Sequence, residues 1–254
     1  MTHPTWSVFE YQLVAYRRVW RGTVFSSFLL PVLFFIAMGL TVGSYVDRAG
    51  SLGVHYLDYI APGLLASTAL QVAVGESTWP VLGGFIWTRV YHSMRATPLR
   101  IGDIVAGQIG YVLLRVLLSS VGFLTVMSVF GTVHSWRGLA TLPVVLLVGL
   151  AIAGPVFAYS ASISSDGLFP VLFRFAIIPM TLFAGVFFPV GSMPFAARLL
   201  AYVSPLWHGV ELCRAATLGT PTAWGVGAHV GYLILWAAGG FGLAVWRFRR
   251  RLTD

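Results

Sequence analysis

The stretch from Leu139 to Ser162, LATLPVVLLVGLAIAGPVFAYSAS, contains no charged side chain over 24 residues. A helix of about 20 predominantly apolar residues is long enough to cross the hydrocarbon core of a bilayer. This stretch is therefore predicted to be a membrane-spanning helix. The whole chain has the same character: 57% of its residues are hydrophobic and 9% are charged, whereas a soluble domain carries about 25% charged residues.

Five more apolar runs accompany this stretch, so we predict an all-α integral membrane protein with six transmembrane helices. The predicted spans are residues 23–44, 59–82, 104–130, 139–162, 169–188 and 223–245. Residues 1–254 are treated as a single transmembrane domain. Three further elements are predicted outside the spans: residues 5–21, 83–103 and 189–222.

Residues 5–21 are predicted to form an amphipathic helix that lies at the membrane surface. Its apolar side chains recur at steps of three and four, which places them on one helical face. They are Trp6, Phe9, Leu13, Tyr16 and Trp20. Aromatic residues combined with arginines are typical of an interfacial helix. The alternative is a solvated N-terminal tail.

The positions of the arginines predict the orientation of the chain in the membrane. All 16 of its lysine or arginine residues are arginine. Ten of them lie at the N-terminus, at the C-terminus or in residues 83–103, and four lie in the opposite loops. Cytoplasmic loops carry the excess of basic residues, so both termini are predicted to be cytoplasmic in an inner or plasma membrane. The net charge of +8 does not indicate nucleic-acid binding, because the cations lie at the ends of apolar runs.

The sequence offers no catalytic motif. Without a lysine, the chain cannot form a phosphate-binding P-loop, so any ATP hydrolysis must take place on another chain. There is no GxSxG or HExxH motif, and no metal site or cofactor is predicted in this chain. The one cysteine, Cys213, excludes an intrachain disulfide and is interpreted as a small packing residue.

Residues 83–103 form the longest polar segment and connect spans 2 and 3. On a helix, three apolar side chains would form a stripe beside three basic ones: Trp87, Tyr91 and Met94 beside Arg89, His92 and Arg95. Pro98 would end this helix. Aromatic side chains with an arginine rim are typical of protein interfaces. We predict a docking helix on the cytoplasmic side; the alternative is a membrane-surface helix without a partner.

Three charged residues fall within predicted spans, namely Glu76, Arg115 and Arg174. Charged side chains are costly in lipid and face protein or water. All three are predicted to lie in the cytoplasmic half of the membrane. They form either a charge cluster at the inner mouth of a pathway or a packing salt bridge without a transport role. Residues 189–222 are largely apolar for a loop and are interpreted as two short helices that dip back into the membrane.

Several long segments resemble permease subunits of the ABC-2 exporter family, and within it the NodJ-type branch, whose founding members export lipo-oligosaccharide. They are APGLLASTALQ (Ala61–Gln71), Glu76 with Pro80, WTRVYHSMRATPLRIGDIVAG (Trp87–Gly107), FRFAIIP (Phe173–Pro179), LFAGVFFPV (Leu182–Val190) and PLWHGVELCR (Pro205–Arg214). These segments cover most of residues 59–219. The two ends of the chain match the family only in character.

The resemblance implies partners that composition alone does not indicate. Two permease copies would pair, as a homodimer, and each would engage a separate ABC ATP-binding subunit that holds the ATP and Mg²⁺. The segment after span 2 would be the coupling helix between permease and ATPase. The implied interface residues are Trp87, Arg89, Tyr91, His92, Met94, Arg95, Thr97 and Pro98.

The resemblance also implies a transport pathway. Residues 189–222 would be external half-helices that close the route outside, and spans 2 and 5 would border it. The implied pathway and gate residues are Gln71, Phe183, Phe187, Phe188, Pro189, Pro205, Trp207 and His208. For the phenylalanines, plain packing is the competing interpretation.

The leading function is therefore the permease subunit of an ATP-driven exporter that works by alternating access. Its substrate class stays open among lipo-oligosaccharides or glycolipids, polysaccharides and hydrophobic drugs. One alternative is a stand-alone secondary transporter coupled to protons through Glu76. Another is an intramembrane enzyme, which would need a cluster of acids or histidines that the sequence lacks.

Overall fold

A computed structural model describes residues 4–50 and 53–253, without the side chains of residues 19, 21, 23–28, 30, 40 and 49. Over these residues the chain is helical and contains no β-strand. Five helices are long and apolar enough to cross a membrane: Tyr56–Ile86, Ile101–Val129, Trp136–Ser160, Asp166–Phe183 and Val226–Thr253. They coincide, within a few residues at most ends, with the second to sixth predicted spans.

The α-helices of the described chain are numbered in order. They are α1 (Pro4–Met38), α2 (Ser44–Ala49), α3 (Tyr56–Ser77), α4 (Trp79–Ile86), α5 (Val90–Arg95), α6 (Ile101–Val129), α7 (Thr141–Ser160), α8 (Phe169–Leu172), α9 (Ile178–Phe183), α10 (Phe195–Val203), α11 (Pro205–Leu218) and α12 (Val226–Thr253). Short π-helical turns cover Gly39–Gly43 and Phe173–Ile177, and 3-10 turns cover Trp136–Ala140, Asp166–Leu168 and Val190–Ser192.

Helix α1 corrects one predicted boundary. Residues 5–21 and 23–44 were expected to form a surface helix and a separate first span, but a single helix runs from Pro4 to Met38. The reason is local: Gly22 is the only helix-weakening residue at the expected break, and one glycine costs a helix only about 1 kcal/mol. The side chains of residues 23–28 lie outside the described part, and the first predicted span, residues 23–44, stays a prediction.

Prolines interrupt two of the spans. Between α3 and α4 the helix breaks at Thr78, whose φ of −96° and ψ of −99° are not helical, two residues before Pro80. In the Asp166–Phe183 span, the π-helical turn Phe173–Ile177 precedes Pro179. Proline lacks the N–H that would bond to the carbonyl four residues earlier. Both irregularities therefore follow from the sequence.

Helix α3 lies at the centre of the fold. It packs against α6, α7 and α11, and most of its residues are buried. Gln71 and Gly75 are its only exposed residues. A helix that is apolar on nearly every side is buried by its neighbours. The strip of Gln71 and Gly75 is therefore the one part of α3 that no other helix of the described chain covers.

Helices α7 and α12 form the most extensive helix–helix contact in the described chain. They cross where Gly154 meets Gly240: a Cβ on Gly154 would lie 2.5 Å from the carbonyl carbon of Gly240. A Cβ on Gly240 would overlap the ring of Pro155. Small residues allow membrane helices to approach this closely, so this pair of glycines holds the last helix against the core.

Candidate functional site

The predicted coupling segment, residues 83–103, comprises the end of α4, the short helix α5 and the start of α6. Most of its predicted interface residues are exposed: Trp87, Arg89, His92, Arg95, Thr97 and Pro98. Met94 is half-buried. Helix α5 ends at Arg95, before Pro98. The segment thus places a basic, partly aromatic surface at one end of the bundle.

Tyr91 does not belong to this exposed surface, and the expectation that it presents its side chain to a partner is wrong. It is 1% exposed and its ring packs on Phe85 and Phe248, with centroids 4.7 and 5.2 Å away. A Cβ on Gly84 would overlap the Tyr91 ring, so glycine makes room for it. Tyr91 points inward because α5 is short and must be held to the bundle by one large side chain.

A chain of polar contacts links α5 to the N-terminal helix through α6. Gln108 Nε2 donates a hydrogen bond of 3.0 Å to the Tyr91 hydroxyl. Gln108 Oε1 accepts one of 2.7 Å from Gln12 Nε2 on α1. Near the start of α6, the Thr5 hydroxyl donates to Asp103 Oδ1 at 3.0 Å. These bonds therefore connect α5 to α6, and α6 to α1.

The face of α1 that packs on α6 differs from the predicted aromatic stripe. Val8, at 1% exposure, and Tyr16, at 9%, are the buried residues of its N-terminal half, whereas Trp6 and Trp20 are exposed. Val8 fits against Gly107, where a Cβ would lie 2.6 Å from the Val8 Cβ. Close approach at this glycine thus decides which face is buried.

The C-terminal end of α12 lies against the coupling segment, which the sequence analysis did not foresee. The Phe248 ring contacts Phe85 at 4.8 Å between centroids. The Arg251 guanidinium lies 4.5 Å over the same Phe85 ring, and Arg251 Nη1 donates to the Ser160 carbonyl at 3.1 Å. The sequence does contain a signal for this contact. Ala244, Phe248 and Leu252 recur at steps of four and are buried, so the apolar face of α12 continues into the basic C-terminal tail.

Glu76 and Arg115 form an ion pair inside the bundle. Arg115 Nη2 lies 3.2 Å from Glu76 Oε1, and the two side chains are 3% and 17% exposed respectively. The Arg115 guanidinium also lies 4.8 Å from the centre of the Tyr16 ring on α1. The pair thus joins α3 and α6 and makes contact with α1.

Arg174 is not part of this pair. It is exposed in the π-helical turn Phe173–Ile177, and no ion pair involves it within residues 4–50 and 53–253. The helix that carries it, Asp166–Phe183, is the least buried of the five candidate spans. Arg174 and Phe175, which is 81% exposed, lie on a surface that the chain itself leaves uncovered.

The remaining predicted pathway residues occupy different environments. Gln71 is exposed on the open strip of α3, and Phe188 is 57% exposed. Phe183 and Pro189 are half-buried, and Phe187 packs on Phe34 at 5.5 Å between ring centroids. These side chains therefore differ in exposure, and their place in a pathway stays a prediction.

Helices α10 and α11 lie where two short helices were predicted in residues 189–222, and they carry a cluster of aromatic and histidine side chains. Trp207 and His208 are buried, at 2% and 0% exposure, and Pro205 begins α11. Trp207 packs on Trp224 at 4.8 Å, and the His208 ring stacks on Tyr232 at 3.9 Å between centroids. The sequence analysis named only the α11 members of this cluster.

A buried histidine pair lies within the cluster. His208 Nδ1 and His229 Nδ1 are 2.9 Å apart, and His208 Nε2 lies 3.1 Å from the Tyr202 carbonyl. A carbonyl only accepts, so His208 Nε2 donates to it and the neutral His208 Nδ1 accepts from His229. Burial lowers the pKa of His208 to about 4, which keeps this residue neutral at physiological pH.

Two further buried groups lie on α11. Burial raises the pKa of the Cys213 thiol to about 12, as expected of a packing residue. Arg214 Nη2 donates to the Gly185 carbonyl at 2.8 Å, and its guanidinium lies 4.1 Å over the Tyr59 ring. In the part of the chain that the structure describes, no three His, Cys, Asp or Glu side chains group closely enough to hold a metal ion.

Comparisons with known proteins agree with one another. A family model described as ABC-2 type transporter matches residues 4–218. Nodulation protein J of Rhizobium leguminosarum bv. viciae is 29% identical over 246 residues, which cover 97% of this chain and 94% of that protein. Nodulation protein J of Rhizobium meliloti (strain 1021) is 27% identical over 97% of this chain and 93% of its own length. The inner membrane transport permease YadH of Escherichia coli (strain K12) is 26% identical over 86% of each chain.

Proposed function

Because the chain belongs to the ABC-2 type transporter family, we propose that it is the permease subunit of an exporter that moves an amphipathic substrate outward with energy from a separate ATPase. Permease subunits of this family are multi-pass inner-membrane components that pair with an ATP-binding subunit. The observation that carries the proposal is the family match over residues 4–218. The substrate stays open among lipo-oligosaccharides or glycolipids, polysaccharides and hydrophobic drugs.

The proposed topology has six spans with both termini in the cytoplasm. The C-terminal part of α1 would be the first span, added to the five candidate spans, and its N-terminal part would lie at the membrane surface. An even number of spans returns the chain to its starting side, in agreement with the excess of arginine there. Helices α10 and α11 would then lie at the external face as half-helices before the last span.

The coupling helix is proposed to be α5 together with its flanking residues. The exposed side chains of Trp87, Arg89, His92 and Arg95 are suited to contact the ATP-binding subunit. Tyr91 would not contact that subunit directly but would hold α5 to the bundle. Its hydroxyl accepts a hydrogen bond from Gln108, and its ring packs on Phe85. Closure of two ATP-binding subunits would move α5, and α6 and α1 would follow through this contact. Such motion is the basis of alternating access.

A second copy of the chain is proposed to cover the open surface of Asp166–Phe183. An arginine in a membrane-spanning helix is costly in lipid and faces protein or water. Arg174 is exposed on this span, so the span is better suited to a partner or a water-filled route than to lipid. Gln71, the exposed polar residue of α3, is proposed to border the same route.

A stand-alone transporter coupled to protons is the alternative. It would use Glu76 as the proton carrier. The ion pair with Arg115 argues against it, since the Glu76 carboxylate already has a partner at 3.2 Å within the chain, which is the arrangement of a packing salt bridge. A structural role for the pair fits the ATP-driven proposal better.

The test is purification of the tagged chain from its own cells in a mild detergent, followed by an ATPase assay and identification of co-purifying proteins. We expect a soluble ATP-binding protein in about equal amount and ATP hydrolysis in the eluate. Proteoliposomes of the complex should then transport only with ATP. A lone chain whose transport follows a proton gradient without ATP would sink the proposal.

A further inference from the structure

A surface cavity of about 550 Å³ lies between the coupling segment and the C-terminal end of α12. Phe85, Ile86, Arg89 and His92 line it from one side, and Arg251 lines it from the other. Two arginines and a histidine therefore face one concave surface with an aromatic side chain beside them. The cavity is large enough to admit side chains from another molecule.

None of these three basic side chains has an acidic partner within the chain, over residues 4–50 and 53–253. The ion pairs found there are His55 with Asp47, Arg115 with Glu76, His134 with Asp58, and Arg214 with Glu211. Arginines that share one cavity repel one another, and an acidic group between them would offset that repulsion. The charge of the cavity thus selects an anionic occupant.

The Arg251 side chain is held in place before any partner binds, and Arg89 is positioned through its backbone. Arg251 is fixed by its hydrogen bond to the Ser160 carbonyl and by the Phe85 ring. Arg89 is the only described residue other than glycine with a positive φ, 51°. Such a backbone conformation is costly and tends to persist where a side chain must be aimed for function. Preorganised cations lose less entropy when they bind.

We propose that this basic cavity receives an acidic side chain of the ATP-binding subunit, so that the end of α12 forms a second part of the coupling surface. The inference rests on the proposed function, because it requires that subunit. It adds a contact that the coupling segment alone does not supply. Through Arg251 and Phe248, the ATPase would hold the last helix as well as α5.

An anionic lipid headgroup is the competing occupant, and the direction of the Arg251 side chain favours a protein. Helix α12 has 28 residues and is about 42 Å long, longer than the roughly 30 Å hydrocarbon core; its last turn therefore lies at headgroup level, within reach of both occupants. Arg251, however, is turned towards the coupling segment. The neighbouring Arg250 instead stacks on the exposed Trp246, at 5.0 Å from the ring centre. That outer pair is the one suited to a lipid surface.

The experiment measures binding of the purified ATP-binding subunit, identified by its co-purification with the wild-type chain, to variants in nanodiscs. Arg251→Gln and Arg89→Gln should each weaken binding on the order of 30-fold or more, as expected when one partner of a desolvated charge pair is removed. Arg251→Lys should retain most of the affinity. The matched control is Arg249→Gln. This arginine lies two positions before Arg251, is exposed and does not line the cavity.

A charge exchange identifies the partner residue. Arg251→Glu should release the subunit, and reversal of one surface acid of the subunit to arginine should restore binding to this variant only. If Arg251→Gln does not fold, by size-exclusion and thermal unfolding, Arg251→Met carries the test, because its unbranched side chain keeps the contact with the Phe85 ring and lacks the charge.

The outcomes separate the two proposals. Capture of the subunit by both glutamine variants with wild-type affinity would overturn this inference and leave the proposed function standing. If the wild-type chain binds no ATP-binding subunit, both fail. If the glutamine variants bind the subunit as the wild type does but bind phosphatidylglycerol vesicles more weakly, the cavity holds a lipid headgroup. This result also overturns the inference.

Discussion

The side-chain amide of Gln108 donates a hydrogen bond of 3.0 Å to the hydroxyl of Tyr91, and both residues are buried. This bond fastens the coupling segment to helix α6, at a point where α5 has only six residues. A helix this short is not stable by itself, so its position depends on such contacts.

Tyr91→Phe should therefore destabilise the protein while leaving the packing of the ring intact. The change leaves Gln108 Nε2 unpaired in a buried position, which costs about 1–3 kcal/mol. Thermal unfolding in detergent should show a midpoint several degrees lower than wild type. The control is Tyr45→Phe, since Tyr45 is 74% exposed; an equal shift in both variants would contradict the role of the bond.

The ion pair of Glu76 and Arg115 leads to a second prediction. Glu76→Leu removes the carboxylate beside a buried guanidinium and should cost about 3–5 kcal/mol, as breaking a buried pair does. The double variant Glu76→Leu with Arg115→Leu should recover most of that stability. Thermal unfolding and ATPase activity of the complex measure both effects. A stable double variant that has lost ATP-driven transport would instead assign the pair to the pathway.

The sequence was sufficient for the second to sixth predicted spans because length and absence of charge decide them locally. Leu139–Ser162 needed no information from the rest of the chain. The burial of Tyr91 could not be predicted in this way, because helical spacing places Trp87, Tyr91 and Met94 on one face without stating what covers it. Arg251 was missed for the same reason: its neighbours Ser160 on α7 and Phe85 on α4 are brought to it only by the packing of the helices.

That crossing gives a third prediction with a control in the adjacent residue. Gly240→Ala places a methyl group into the ring of Pro155 and should destabilise the protein by about 1–3 kcal/mol, because neither backbone can withdraw easily. At Gly239 a Cβ would meet nothing within 4 Å, so Gly239→Ala should leave stability unchanged or slightly raised. Thermal unfolding of the two variants side by side is the measurement.

The histidine pair predicts how stability depends on pH. Burial lowers the pKa of His208 to about 4 from its ordinary value of 6.5. Between these values the unfolded chain binds a proton that the folded chain does not, so stability is full above pH 6.5 and falls as the pH drops towards 4. The loss over this window is on the order of 3 kcal/mol.

Thermal unfolding at several pH values tests this dependence. His208→Leu should flatten the slope between pH 6.5 and 4, while His134→Gln, at an exposed histidine outside the cluster, should keep it. An unchanged slope in His208→Leu would assign the acid sensitivity to other groups.

The uncovered surface of Asp166–Phe183 gives the last prediction. Cys213, the only cysteine, is 0% exposed and its pKa is raised to about 12, so an introduced cysteine is the one reactive thiol. If a second copy covers this surface, Phe175→Cys should form a disulfide-linked dimer in membranes under mild oxidation. Trp136→Cys is the control, because Trp136 is equally exposed, at 81%, on a different span. Cross-linking of both variants to the same extent would indicate random collision, and cross-linking of neither would place this face against lipid or a different protein. Selective linkage through residue 175 would explain how Arg174, in the same helical turn, avoids the acyl chains.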